Sequence, residues 1–146
     1  MNILVCIDFS DSTAKVVSNA EKLAKAVSAK LWILHVAEPE PDFVGYAPGP
    51  QYIRDSLAEQ FHQEHRQIQE IAEKMREEGL EATALLIQGP TVEVILKTAK
   101  KIEADTIVIG THGKGAVYHL VVGSVSGTVI HKAECPIFVV PIRERS

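Results

Sequence analysis

Five short apolar runs punctuate the 146 residues: Asn2–Ile7 (NILVCI), Lys30–Val36 (KLWILHV), Glu81–Ile87 (EATALLI), Asp105–Ile109 (DTIVI) and Pro136–Val140 (PIFVV). Each has strand length and lacks the spacing of a one-sided helix, so each reads as a buried strand. Between them lie segments of helical period: Thr13–Ser28, Tyr52–Glu78, Thr91–Ile102 and Ser124–Lys132. Strands that alternate with helices build a parallel sheet covered on both faces. The alternation therefore predicts an α/β fold, a single doubly wound five-stranded sheet, with residues 1–146 forming one domain.

The helical stretches each offer an apolar face. In the first it is Ala14, Val17, Ala20, Ala24 and Val27. In the second it is Leu57, Phe61, Ile68, Ile71, Ala72 and Met75, with Gly79 placed to end the helix. At about 1.5 Å per residue this second helix is near 40 Å long, so part of it is expected to overhang the sheet. Val94, Ile95, Ala99 and Ile102 form the third face, after a Gly89-Pro90 turn, and Val125, Val129, Ile130 and Ala133 the fourth. The segment Ala37–Pro50 holds four prolines and two glycines, which forbid a regular element. Phe43, Tyr46 and Tyr52 give it apolar weight, for tucking against the domain or for a lid or partner surface.

After the fourth apolar run comes GTHGKGAVYHLVVGSVS, Gly110–Ser126. A strand running into glycines before a helix start is what a phosphate loop needs. Glycine lets backbone N–H groups approach an anion without a Cβ in the way, and a helix N-terminus adds unpaired donors and a favourable dipole. Ser124 can cap the helix or offer its hydroxyl to phosphate. Neither a Walker A loop nor a dinucleotide fingerprint is present. The spacing is G-x2-G-x9-G-[ST], through Gly110, Gly113, Gly123 and Ser124.

That spacing, after a strand and near the end of a chain of this length, resembles the ATP-binding branch of the universal stress protein (UspA-like) family. Ile109–Pro141 carries the resemblance most densely, and the earlier signals extend it along the chain. The resemblance implies a Rossmann-like, adenine nucleotide alpha hydrolase-like sheet of order 3-2-1-4-5, with a crevice between the first and fourth strands. Asp8, Val36 and Gly110, at the ends of the first, second and fourth strands, then gather at one sheet edge.

By the same resemblance, Asp8 faces the nucleotide, through ribose hydroxyls or a water-held Mg2+. From the residues alone, capping of the first helix is its other role. Cys6 and Ile7 line the pocket, and the Val36 backbone meets the adenine edge. Ile109 and Gly110 lie against the sugar. His112 and Gly113 form the first half of the phosphate loop; Gly123, Ser124, Val125 and Ser126 form the second. Lys114 either offsets phosphate charge or is simply solvated. The implied ligands are ATP, or AMP or ADP, with Mg2+ held by the phosphates. A homodimer through the last strand is also implied, burying Ile137, Phe138, Val139 and Val140 in an edge that would otherwise be bare.

Composition narrows the rest. A formal charge of −4 argues against a general nucleic-acid binder. No apolar stretch is long enough to cross a bilayer, and the start MNILVCIDFS lacks the pattern of a signal peptide. A cytoplasmic protein with reduced Cys6 and Cys135 is expected, the two thiols lying roughly 10 Å apart across two strand steps. His62 and His65 share a helix face, which is too little for zinc. His35 reads as a core or rim residue and His131 as a helix-end residue. Three functional readings compete: a nucleotide-responsive stress switch acting through partners, a slow ATP hydrolase, and an interaction dimer without nucleotide. The intact glycines favour the first. Efficient phosphoryl transfer needs a charge clamp and a water-positioning group, for which the loop offers only His112, Lys114 and the nearby Asp8.

Overall fold

The run NILVCI becomes the centre of the sheet. Ile3, Leu4 and Val5 are fully buried, because helices cover both faces and leave no polar side for alternation. The computed structural model describes residues 1–37, 51–111 and 124–142. Their elements run β1 (Asn2–Ile7), α1 (Thr13–Val27), β2 (Lys30–Ala37), α2 (Gln51–Glu77), β3 (Ala82–Gln88), α3 (Thr91–Lys101), β4 (Thr106–Gly110), α4 (Ser124–Lys132) and β5 (Ile137–Val140). All strand pairs are parallel, in the order β3-β2-β1-β4-β5. The doubly wound sheet and its strand order are as expected. The segment 38–50 and the stretch 112–123, with their predicted lid and phosphate-loop residues, lie outside the described residues.

Strand parity sorts the core into two layers. Ile3, Val5, Ile7, Leu31, Ile33, Val108 and Val140 face α1 and α2. Leu4, Leu34, Ile107 and Ile109 face α3 and α4. Two helix faces differ from expectation. In α1 the buried residues are Val16, Ala20 and Ala24, while Ala14 is exposed and Val27 is 39% exposed. In α4 they are Ser126 and Val129; Val125 and Ile130 are 37% and 40% exposed. In α1 the rotation brings Val16 inward and turns Ala14 out, and in α4 it brings the small Ser126 inward in place of Val125.

Three helices stop at a left-handed residue. Ser28 (φ 54) follows α1, Gly79 (φ 89) ends the α2 turn and Glu103 (φ 54) ends that of α3. Ala29, Leu80 and Ala104 then return their N–H groups to Ala24, Met75 and Ala99 of the last turns. β5 begins at Ile137 and not Pro136 because proline has no N–H for the ladder, although its carbonyl accepts from Ile107 at 3.1 Å. The overhang of α2 is also found: its buried residues, Ile68, Ala72 and Met75, all lie toward its C-terminal end, and Tyr52 is 74% exposed.

Candidate functional site

The sheet opens where its order reverses. β1 pairs with β4 only through Ile3–Val5 against Thr106–Val108. Beyond that, Cys6 and Ile7 continue with β2, opposite Leu34 and His35. On the other side, Ile109 and Gly110 continue with β5, opposite Val139 and Val140. The two central strands therefore part company at their C-terminal ends. In an open α/β sheet such a switch point is a ligand crevice.

The described candidate residues surround that parting. Ile7 and Ile109 are buried, 7% and 5% exposed. Val36 lies on β2 one residue past the last pairing with β1. Asp8 follows β1 directly and accepts the Ser10 N–H at 3.0 Å through Oδ1. This forms a local turn; Ser12, the residue that caps α1, makes no side-chain cap bond. The hydroxyls of Ser10 and Ser12 are 2.7 Å apart. Thr13 Oγ1, at the first position of α1, is buried without a hydrogen-bond partner.

On the β4 side, Ser124 and Val125 open α4 and are exposed. Their N–H groups belong to the first helical turn, where no intrahelical acceptor exists. Ser126, the next residue of α4, is turned inward. It is 4% exposed, and its hydroxyl donates to the Gly110 carbonyl at 2.5 Å. Its proton is committed to joining β4 to α4. Thr111 closes the adjoining edge: its N–H donates to Val140 O at 3.0 Å and its Oγ1 accepts from Ile142 N at 2.9 Å. His112, Gly113 and Gly123, together with Lys114, lie outside the described residues.

Cys6 packs into the Leu4–Leu34 layer. Burial pushes its thiol up to about 12, so it is a neutral apolar group and not a nucleophile. Burial, and then the negative charge of Asp105, also raise the Cys135 thiol. Both cysteines are free. Among the described residues no group of three or more His, Cys, Asp and Glu could hold a metal, and His62 and His65 are exposed. No described helix is long and apolar enough to cross a membrane.

Sequence reading left His35 as a core or rim side chain, and the structure gives it definite partners. It is 8% exposed. Its Nδ1 lies 3.0 Å from the Ile7 carbonyl and its Nε2 lies 2.6 Å from Oε2 of Glu64 on α2. Its ring centroid is 4.5 Å from that of Phe9, a residue held at φ 59. Sequence could have hinted at this pair, since Glu64 sits one turn before Ile68 on the buried stripe, where an apolar residue is expected.

Comparison with known proteins places this geometry in a family. The model of the universal stress protein family matches residues 1–141. A universal stress protein of Thermus aquaticus is 37% identical over 144 residues, covering 94% of this chain and 96% of its own. One from Bacillus subtilis is 33% identical over 143 residues, covering 94% and 97%. The structure of universal stress protein UspA from Lactobacillus plantarum superposes with a TM-score of 0.79 at 22% identity, covering 96% of this chain and 97% of that one. An Archaeoglobus fulgidus universal stress protein in complex with dAMP gives 0.67 at 22% identity, covering 95% and 96%. A universal stress protein in complex with cAMP gives 0.64 at 22% identity, covering 97% and 96%.

Proposed function

The chain belongs to the universal stress protein family, and from that premise we propose that it binds an adenine nucleotide between β1 and β4 and acts as a nucleotide-responsive regulatory switch. The observation that carries this reading is the parting of β1 and β4 beyond Val5 and Val108. It opens the sheet at its switch point, beside Asp8, Val36 and Gly110. Related folds that bind dAMP and cAMP support an adenine ligand.

In this reading Ile7, Cys6 and Ile109 line the crevice, and the Val36 backbone reads the adenine edge. Asp8 accepts hydrogen bonds from ribose hydroxyls or holds the water shell of a magnesium ion. Gly110, His112 and Gly113, with Gly123, Ser124, Val125 and the backbone of Ser126, cradle the phosphates. The first turn of α4 supplies donors and dipole for negative charge. ATP with Mg2+ is the ligand proposed, since the glycine stretch offers donors for more than one phosphate; AMP and ADP use part of the same cradle. Output passes through protein partners, from a homodimer joined along β5.

Thermal unfolding with ATP, ADP, AMP and dAMP, each with and without Mg2+, tests the reading, with Gly113→Val as control. Ligand at about 100 times its dissociation constant stabilises by about 2.7 kcal/mol. That corresponds to a rise of roughly 5–10 °C for a domain of this size, absent in the control. If no nucleotide shifts the unfolding of protein stripped of endogenous ligand, the proposal falls.

A further inference from the structure

The Ile7 carbonyl can only accept, so His35 Nδ1, 3.0 Å away, carries a proton. At 2.6 Å, Nε2 and the Glu64 carboxyl need a second proton between them. The ring is therefore held at both ends, by the last residue of β1 and by α2. It is tilted at 49° against the ring of Phe9, which occupies the left-handed region at φ 59. That conformation is unfavourable for a bulky residue and persists only where neighbours impose it. Phe9 directly follows Asp8, whose Oδ1 holds the Ser10 N–H. On the other strand, His35 directly precedes Val36.

We propose that His35 is a positioning residue of the crevice and that Glu64 fixes it, so that α2 is coupled to the turn that presents Asp8. The inference rests on the nucleotide reading for its ligand, but the coupling itself is a property of the free protein. The helix geometry fits the role. Glu64 is the sheet-facing residue one turn N-terminal to Ile68, where burial of α2 ends. The pair thus joins the weakly packed half of α2 to the crevice, and a change on either side is felt on the other.

Hydrogen exchange of the full chain, resolved to single amides by NMR, tests this with Glu64→Leu and Glu64→Gln. A glutamine can donate to Nε2 of a neutral ring that keeps its Nδ1 proton, so it restores the tie without the charge. In Glu64→Leu the Ser10 amide, which Glu64 does not touch, should exchange about tenfold faster, the scale of a lost charge-assisted hydrogen bond. Glu64→Gln should return it toward the wild-type rate, and both variants should unfold cooperatively. dAMP affinity should fall about tenfold in Glu64→Leu, following the same scale. If Ser10 protection is unchanged while α2 amides near Glu64 exchange faster, the contact is merely structural and the coupling is refuted. A ring signal in the wild-type protein showing Nδ1 without a proton would refute it too, independently of any variant. Should dAMP bind none of the proteins, the nucleotide reading fails, and the Ser10 rates still decide the coupling.

Discussion

Ser126 donates its hydroxyl to the carbonyl of Gly110 at 2.5 Å, across 16 residues of sequence. One bond thus joins the end of β4 to the first turn of α4, the two ends of the glycine stretch. A buried hydroxyl must find an acceptor, and here that acceptor lies at the mouth of the crevice. Ser126→Ala should cost about 1–3 kcal/mol, because the Gly110 carbonyl loses a donor in a dry site. Urea unfolding measures this, and a change below the error of the extrapolation would show the bond to be idle. On the proposed function the same variant should also weaken nucleotide binding, which calorimetry reads directly.

The outer edge of β5 carries the dimer proposal. The carbonyls of Pro136 and Val140 accept from Ile107 of β4 and from Thr111, the residue that follows it. By strand alternation, the N–H and C=O of Ile137 and Val139 point away from the sheet. Val139→Pro should therefore spare the bonds to β4 while removing a donor from the outer edge. Sedimentation should show a dimer in the wild type and a folded monomer in the variant. Equal masses for the two would count against pairing along this edge.

Gly89 links β3 to α3 at φ 150, and a Cβ there would meet Val94 Cγ2 at 2.9 Å. Its N–H also reaches Ala37 O at 3.3 Å. Gly89→Ala should destabilise by about 1–3 kcal/mol through backbone strain and crowding together. Adding Val94→Ala relieves only the crowding. A double-mutant cycle in denaturant would separate the two, and full recovery in the double variant would show that the backbone costs nothing.

Glu21 provides a pH-dependent case. Burial first, then repulsion from Glu78, raise its carboxyl above the ordinary value of 4.5, with Lys25 opposing. Its proton is then held more tightly in the folded chain than in the unfolded one. The resulting stability is full at pH below that ordinary value and is lost as pH rises through the folded value. Glu21→Gln should therefore stabilise at neutral pH, by at most about 1 kcal/mol since the site is partly exposed and screened. The gain should vanish on acidification. Melting curves at the two pH values check this; a gain that persists in acid would point to packing instead of charge.

Much of the fold was legible because its signals are local. Each apolar run is short and bounded by breakers, so NILVCI, KLWILHV and DTIVI announce buried strands without knowledge of their neighbours. Gly79 marks the end of α2 for an equally local reason, its freedom at positive φ. The helix faces of α1 and α4 were less legible. Periodicity names a stripe, but the rotation that buries Val16 over Ala14, or Ser126 over Val125, depends on how closely the helix approaches the sheet.

The sequence by itself determined the alternation of strands and helices, the glycine spacing after β4 and the residues that can stand at the strand ends. These follow from side-chain period, backbone freedom and chain order. Only the tertiary structure decided that β1 and β4 part beyond Val5 and Val108, that the Ser126 hydroxyl turns to Gly110, and that His35 is held between Ile7 and Glu64. Each of these is a contact between distant segments, set by strand register and helix rotation. Register and rotation minimise the free energy of the whole packed sheet, and no local stretch of the chain encodes them alone.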